Sequence, residues 1–316
     1  MSSSRAIQWS KKGRIFVPSG EGFFKTHATR PIPYLLNREI LRIFFSSRDH
    51  DDRMLPNFID VELRNPSIIV HVSEHLLITL GSPGTFDDCG VALGSIVEQA
   101  DGVRIYYGGW KRRRSTVSFE LAIGLLHWDK STDTFRRVFT GPILGQDRNH
   151  PFLAGGPFVI TENGSYKMWY CSGTDWRFPS NNPEPIYTVF YAESVDGIDW
   201  TPHNKPVIPY KYDGEVISAP WVLKLQGKYC MWYSTRGHAT REAKNYTIGY
   251  AESFDGLHWE RLDDLAGISR SAQGWDSEMI CYPAVFVHEH KMYMVYSGNG
   301  VGREGIGYAV ANSSVE

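Results

Sequence analysis

The sequence carries almost no surplus of either charge: 33 basic and 35 acidic side chains among 316 residues leave a formal net charge of −2. Such a balance provides no global pull toward nucleic acid or an anionic membrane, so neither is expected as a partner and any charged ligand must be read by a local cluster. Cysteine is scarce as well. The four present, Cys89, Cys171, Cys230 and Cys281, show neither CxxC spacing nor the density of a disulfide scaffold. Reduced, mostly buried thiols are expected, and no metal site or cofactor is implied. No run approaches the ~20 apolar residues of a membrane span. The opening MSSSRAIQWSKKGRIF lacks the apolar core of a secretory signal, so a cytoplasmic protein is expected. Also missing is any long stripe of 3.6-residue period, which argues against a helical fold.

Aromatic residues, by contrast, make up 14% of the chain, within a hydrophobic share of 42%, ample for a packed core. They recur. Short runs centred on a small residue or proline, PIPYLL at Pro33, LGSIV at Gly94, GGPFVI at Pro157, SAPWVL at Pro220 and CYPAVF at Pro283, lie 61, 63, 63 and 63 positions apart. A second series follows each by about a dozen residues, with aromatic anchors Phe45, Tyr107, Tyr170, Tyr233 and Tyr296. A third series, FIDVEL, LAIGLL, VFYAES, TIGYAES and GIGYAV, alternates as strands do. In two units it runs into SVDGIDW and SFDGLHW, where Asp-Gly signals a hairpin turn. Each unit therefore predicts a four-stranded antiparallel meander, and five units predict an all-β, five-bladed propeller forming one domain over 1–316. The expected blades cover approximately 19–80, 81–144, 145–209, 210–268 and 269–312. After GIGYAV too few residues remain for a fourth strand. QWSKKGRIFVP matches the fourth-strand pattern DWTPHNKPVIP, so an N-terminal strand over 6–18 is expected to join the last blade.

Strand direction sorts residues onto two faces. The segments entering the first strands and leaving the second strands share one face, and the Asp-Gly hairpins lie on the other. The first face collects His27, Arg30, Asp87, Asp88, Asp147, His150, Asp213, Glu215, Asp276 and Glu278 from the entries. The second-strand exits add Arg48, Asp49, Trp110, the run Lys111 to Arg114, Asp175, Trp176, Arg236, His238, Asn299 and Arg303, with Trp275 nearby. A concave mouth with convergent acids, arginines and tryptophans is the default binding site. Plainer roles compete at each position. Asp87 and Asp88 suit a turn cap. Glu215 and Glu278 share one offset before Pro220 and Pro283, which repeat geometry alone can explain, although Ala28, Cys89 and Phe152 occupy that offset in the other units. Arg30, Arg48 and Arg236 adjoin inner-strand ends, where an unpaired guanidinium is costly, so each should meet an acid such as Asp49, Asp88 or Glu278, or an anionic ligand.

The five units, the YAES.DG..W repeats at Tyr191–Trp200 and Tyr250–Trp259, and the runs KMWY and CMWYS resemble the five-bladed propeller superfamily of glycoside hydrolases. That group includes arabinanases, xylosidases, invertases and mannoside phosphorylases. The resemblance implies carboxylates at a central funnel acting as base or nucleophile, general acid and orienting group. The chain departs from this pattern. The usual first-strand Asp-Pro reads TRP with Arg30 in the acid's place, the middle Asp-Pro reads GGP at Gly155–Pro157, and Glu-Gly-Pro reads SAP at Ser218–Pro220. No family acid carries over. Two functions are expected: an enzyme acting on an anionic or nucleotide-linked sugar, or a non-catalytic saccharide-binding propeller. A protein-binding scaffold is a third possibility. In the enzyme, Glu278 would be the acid, Asp88 or Glu215 the base, and Asp276 would tune Glu278. His27, Arg30, Arg48, Asp49, Asp87, Trp110, His150, Trp176, Arg236, Trp275 and Asn299 would bind substrate.

Overall fold

A computed structural model describes residues 7–22, 24–113, 116–177, 183–237 and 245–312. Arg114 and His238 lie outside the described residues. The chain is all-β, built from four-stranded antiparallel meanders. The first unit comprises β2 (Thr26–Leu35), β3 (Ile40–Arg48), β4 (Met54–Glu62) and β5 (Ile69–Val72). The second comprises β6 (Gly90–Gln99), β7 (Gly102–Arg112), β8 (Phe119–Asp129) and β9 (Thr134–Arg137). One parallel bridge, Met54 to Gly90, joins these two into an eight-stranded sheet. The third unit is β10 (Ala154–Glu162), β11 (Ser165–Arg177), β12 (Glu184–Ser194) and β13 (Thr201–Pro202). The fourth is β14 (Val216–Leu225), β15 (Lys228–Arg236), β16 (Thr247–Ser253) and β17 (Glu260–Arg261). The last sheet has β18 (Cys281–His288), β19 (Lys291–Ser297) and β20 (Ile306–Ala311), and its outer member is β1 (Trp9–Phe16), paired antiparallel with β20.

The three sequence series map onto the first, second and third strands of these units. Phe45, Tyr107, Tyr170, Tyr233 and Tyr296 are all fully buried, because at that register each second-strand aromatic points into the core between neighbouring sheets. First strands β2, β6, β10, β14 and β18 contact one another in that order, and β18 also contacts β2. The Asp-Gly turns form as expected. Gly197 and Gly256 take φ of 72° and 80°, and the hydroxyls of Ser194 and Ser253 accept their N–H groups at 2.8 Å. The carbonyls of these glycines are bound by Tyr106 and Trp169 of the preceding unit, which ties adjacent sheets. No helix among the described residues is long and apolar enough to cross a membrane.

Candidate functional site

All five first strands carry the same one-residue bulge. The partner register jumps between Thr29 and Ile32, Leu93 and Ser95, Gly155 and Phe158, Ser218 and Trp221, and Cys281 and Ala284. The structure thereby corrects one register expectation: the first unit's counterpart of Pro157, Pro220 and Pro283 is Pro31, not Pro33, which makes the spacing 63 throughout. The second unit has Gly94 there because a Cβ would sit 2.4 Å from the carbonyl oxygen of Pro157. In the other four units the residue before proline is held at positive φ: Arg30 at 55°, Gly156 at 61°, Ala219 at 50° and Tyr282 at 54°. For a side-chain-bearing residue this conformation costs roughly 1–2 kcal/mol. Bulges re-aim side chains, and strain of this kind concentrates at functional sites.

These four residues line one cavity of about 250 Å³ among the first strands. Arg48, Trp110, Phe119, Leu121, Tyr187 and Ser218 complete much of its wall. Gly156 opposes Arg30, and a Cβ there would approach both terminal nitrogens of Arg30 and the sulfur of Cys171 at 3.2 Å. The small residues Gly156 and Ala219 leave room across which Arg30 and Tyr282 reach. The Arg30 guanidinium lies 5.6 Å from the Tyr282 ring centre. It has no hydrogen bond or ion pair with any described residue. Arg48 donates Nη1 to exposed Asp52 at 2.7 Å, while its Nε and the hydroxyls of Thr29 and Ser218, in the same wall, have no partner among the described residues. No described residue lining the cavity is a carboxylate. Trp110 and Trp176 flank Phe119 edge-on at 6.2 and 5.6 Å, an aromatic ridge at the cavity's side. Burial pushes the Cys171 thiol up to about 11, so its sulfur faces the cavity as an uncharged group.

The acids stand elsewhere. Asp87 is fully buried and accepts hydrogen bonds from Tyr107 at 2.9 Å and Arg137 at 2.7 Å. Asp276 accepts from Lys11 at 2.5 Å and Tyr296 at 3.0 Å. Glu215 accepts from Thr235 at 2.7 Å, from Arg261 at 2.8 and 2.9 Å, and from the Lys211 N–H at 2.7 Å. In each case the acid preceding the first strand joins a second-strand hydroxyl to a cation on the fourth strand of the same unit. Expected convergence of these carboxylates on the cavity is not what the structure shows. Asp88 accepts the Gly84 N–H at 2.8 Å within its turn, and Glu278 is exposed and does not line the cavity.

The remaining candidates divide similarly. Arg30, Arg48 and Trp110 line the cavity, with Trp176 beside it on the ridge. Asp49 binds Arg53 at 2.8 Å and caps its own turn. Arg236 faces Glu184 at 3.6 Å and the Tyr246 ring, so none of Asp49, Asp88 or Glu278 pairs with the three arginines. His27 is buried and held neutral, its pKa lowered to about 4 by burial and by Arg48 and Arg303. His150 bridges Asp147 at 3.1 Å and the His203 carbonyl at 3.2 Å. Trp275 stacks on Tyr296 at 5.3 Å, and the side-chain Oδ1 of Asn299 accepts the N–H groups of Glu278 and Met279. Asp49, His50 and Asp51 can bring one ligand atom each within 4.8 Å of one another on an exposed turn. Tyr282 and Phe119 were missed from sequence. Tyr282 had a signal, since it precedes Pro283 as Arg30 precedes Pro31.

No family model matches the chain. The uncharacterized protein Rv1502 of Mycobacterium tuberculosis strain ATCC 25618 / H37Rv is 37% identical over 306 residues, spanning 96% of this chain and 99% of that protein. Among solved structures, BT0996 in its RGII complex superimposes with a TM-score of 0.73 at 17% identity, covering 97% of this chain and 92% of that one. A thermostable family-43 glycoside hydrolase gives 0.64 at 17% identity, with 90% and 88% covered. Penicillium chrysogenum α-L-arabinanase complexed with arabinobiose gives 0.59 at 13%, with 96% and 98% covered. At such identities the likeness establishes the fold.

Proposed function

The chain belongs to the family of the Mycobacterium tuberculosis protein Rv1502 and has the fold of the propeller superfamily of glycoside hydrolases, and from that premise we propose that its central cavity binds an anionic saccharide without cleaving it. We read residues 1–316 as one five-bladed ring. The β1–β20 pairing and the contacts of successive first strands, β18 to β2 included, support that reading.

One observation carries the function: the Arg30 guanidinium, at a strained position of the first strand, faces a cavity whose described wall holds Arg48 and no carboxylate. Arg30 has no counter-charge among the described residues and Arg48 has only exposed Asp52, and a carboxylate or phosphate offers both charge and fork geometry. Trp110, Phe119 and Tyr282 add ring faces against which a sugar can lie. At about 250 Å³ the cavity falls just below the ~300–1,000 Å³ of sites for drug-sized ligands. It suits one sugar ring with its charged group, and a nucleotide joined to that sugar would extend outside. Glycosidic hydrolysis uses two flanking carboxyl groups. Glu215 and Asp276 are saturated by Arg261 and Lys11, so they do not supply them here. The neighbours complexed with RGII and with arabinobiose support a saccharide as the ligand class.

Calorimetric titration with matched pairs tests the proposal: glucuronic acid against glucose, and glucose 1-phosphate against glucose. At least one anionic member should bind tenfold or more tightly than glucose, with no product released from acidic oligosaccharides. Equal affinities for charged and neutral members, or steady turnover, would overturn it.

A further inference from the structure

A second cavity, of about 480 Å³, lies between the second and third units and shares Leu121 with the central one. The start of β8 is the partition. Phe119 faces the central cavity and Glu120 and Ala122 border the second, as the alternation of a strand requires, while Leu121 lines both. Leu121 can stand there because the opposite residue is Gly155, where a Cβ would approach it to 3.2 Å. The two compartments differ in chemistry. The central wall has arginines and no described carboxylate, whereas the second is bordered by Glu120, Asp147, Gln146 and Trp200 and has no cation among the described residues of its wall. Glu120 is paired with Arg113, and Asp147 accepts the N–H groups of Asn149 and His150. Trp200 packs edge-on against Tyr106 at 5.9 Å, and its Nε1 has no partner among the described residues.

We propose that the second cavity is a subsite for a neutral sugar linked to the anionic sugar of the central cavity, so that the ligand spans the Leu121 partition. This rests on the proposed function of the central cavity. Acceptor groups beside an aromatic ring suit the hydroxyl donors of an uncharged sugar. Asp147, paired with no lysine or arginine among the described residues, repels a second anionic residue. The ligand is therefore a mixed acidic and neutral saccharide with the acidic residue innermost.

The test uses glucuronic acid, a set of disaccharides joining it to glucose through each hydroxyl, and the corresponding di-glucuronic acids, titrated against the whole protein and against Gln146→Trp. Gln146 is exposed, so an indole there fills the second cavity without entering the core. At least one neutral-extended disaccharide should bind tenfold or more tightly than glucuronic acid. That gain should vanish in Gln146→Trp, while glucuronic acid itself stays within twofold. Di-glucuronic acids should show no gain. If glucuronic acid binds but no disaccharide gains, or if the gain survives in Gln146→Trp, the subsite is wrong and the central reading stands. Absence of binding by every member overturns the subsite, and overturns the central reading as well when glucose 1-phosphate, titrated alongside, also fails to bind.

Discussion

Glu215 and Arg30 are charged groups at the same end of two equivalent strands, yet their surroundings are opposite. Glu215 is 1% exposed and receives four hydrogen bonds, two of them from an Arg261 side chain that is itself 6% exposed. Arg30 faces open space with an aromatic ring beside it and no acceptor among the described residues. One arrangement is complete within the chain, and the other lacks an acceptor among the described residues, which the proposed ligand would supply. Burying a charge without its partner is expensive, so a fold tolerates the second arrangement chiefly where a ligand supplies the missing charge.

Breaking the complete arrangement should have the largest effect. Glu215→Ala removes two of the charged hydrogen bonds of buried Arg261 and leaves it Asp263 and the Pro209 carbonyl, and chemical denaturation should show a loss of about 2–3 kcal/mol. The double variant Glu215→Ala with Arg261→Met should recover much of that loss; no recovery would mean that the acid contributes something other than neutralising Arg261. A smaller change, about 1–2 kcal/mol, is expected for Gly156→Ala, because an L residue is disfavoured at its φ of 61°. Since the added Cβ presses on Arg30, anion affinity should fall with stability, and unchanged affinity would show that Arg30 does not reach across the cavity. His27 gives a pH test of the surroundings. Its pKa is lowered from 6.5 to about 4, so the unfolded chain binds the extra proton first. The stability due to neutral His27 is complete above about pH 6.5 and declines as the pH falls toward 4. His27→Gln should flatten that part of the melting-temperature profile, and an unchanged slope would place the titration elsewhere. The smallest effect belongs to Glu278→Gln, within about 0.5 kcal/mol as for other exposed positions, with saccharide binding unchanged. A marked loss of binding would return Glu278 to the site.

Much of the architecture was legible because a period of 63 ties backbone geometry to residue type. Buried aromatics at Phe45 through Tyr296, the Asp-Gly turns and the N-terminal strand are each enforced by local chemistry that sequence displays. Site legibility was uneven. Arg30 stood out because it replaced an acid at a repeat position, and Tyr282 was available by the same logic. The acids misled for a physical reason. Carboxylates that clamp a unit sit in the same entry segments as carboxylates that would face a ligand, and only the positions of Arg137, Lys11 and Arg261, each a strand away in space and far in sequence, distinguish the two. A one-residue bulge is likewise silent in sequence until its register is seen, which is why Pro33 rather than Pro31 looked equivalent to Pro157.

The most direct measurement is Arg30→Met, with folding stability and glucuronic acid or glucose 1-phosphate affinity determined on the same sample. Removing an unpaired guanidinium while keeping its bulk should leave stability equal or higher, and loss of a charged hydrogen bond worth about 1.5–3 kcal/mol should weaken the anion by roughly 10- to 150-fold. A protein that loses several kcal/mol of stability while holding the anion as tightly as before would contradict the account, because Arg30 would then be one more internal clamp.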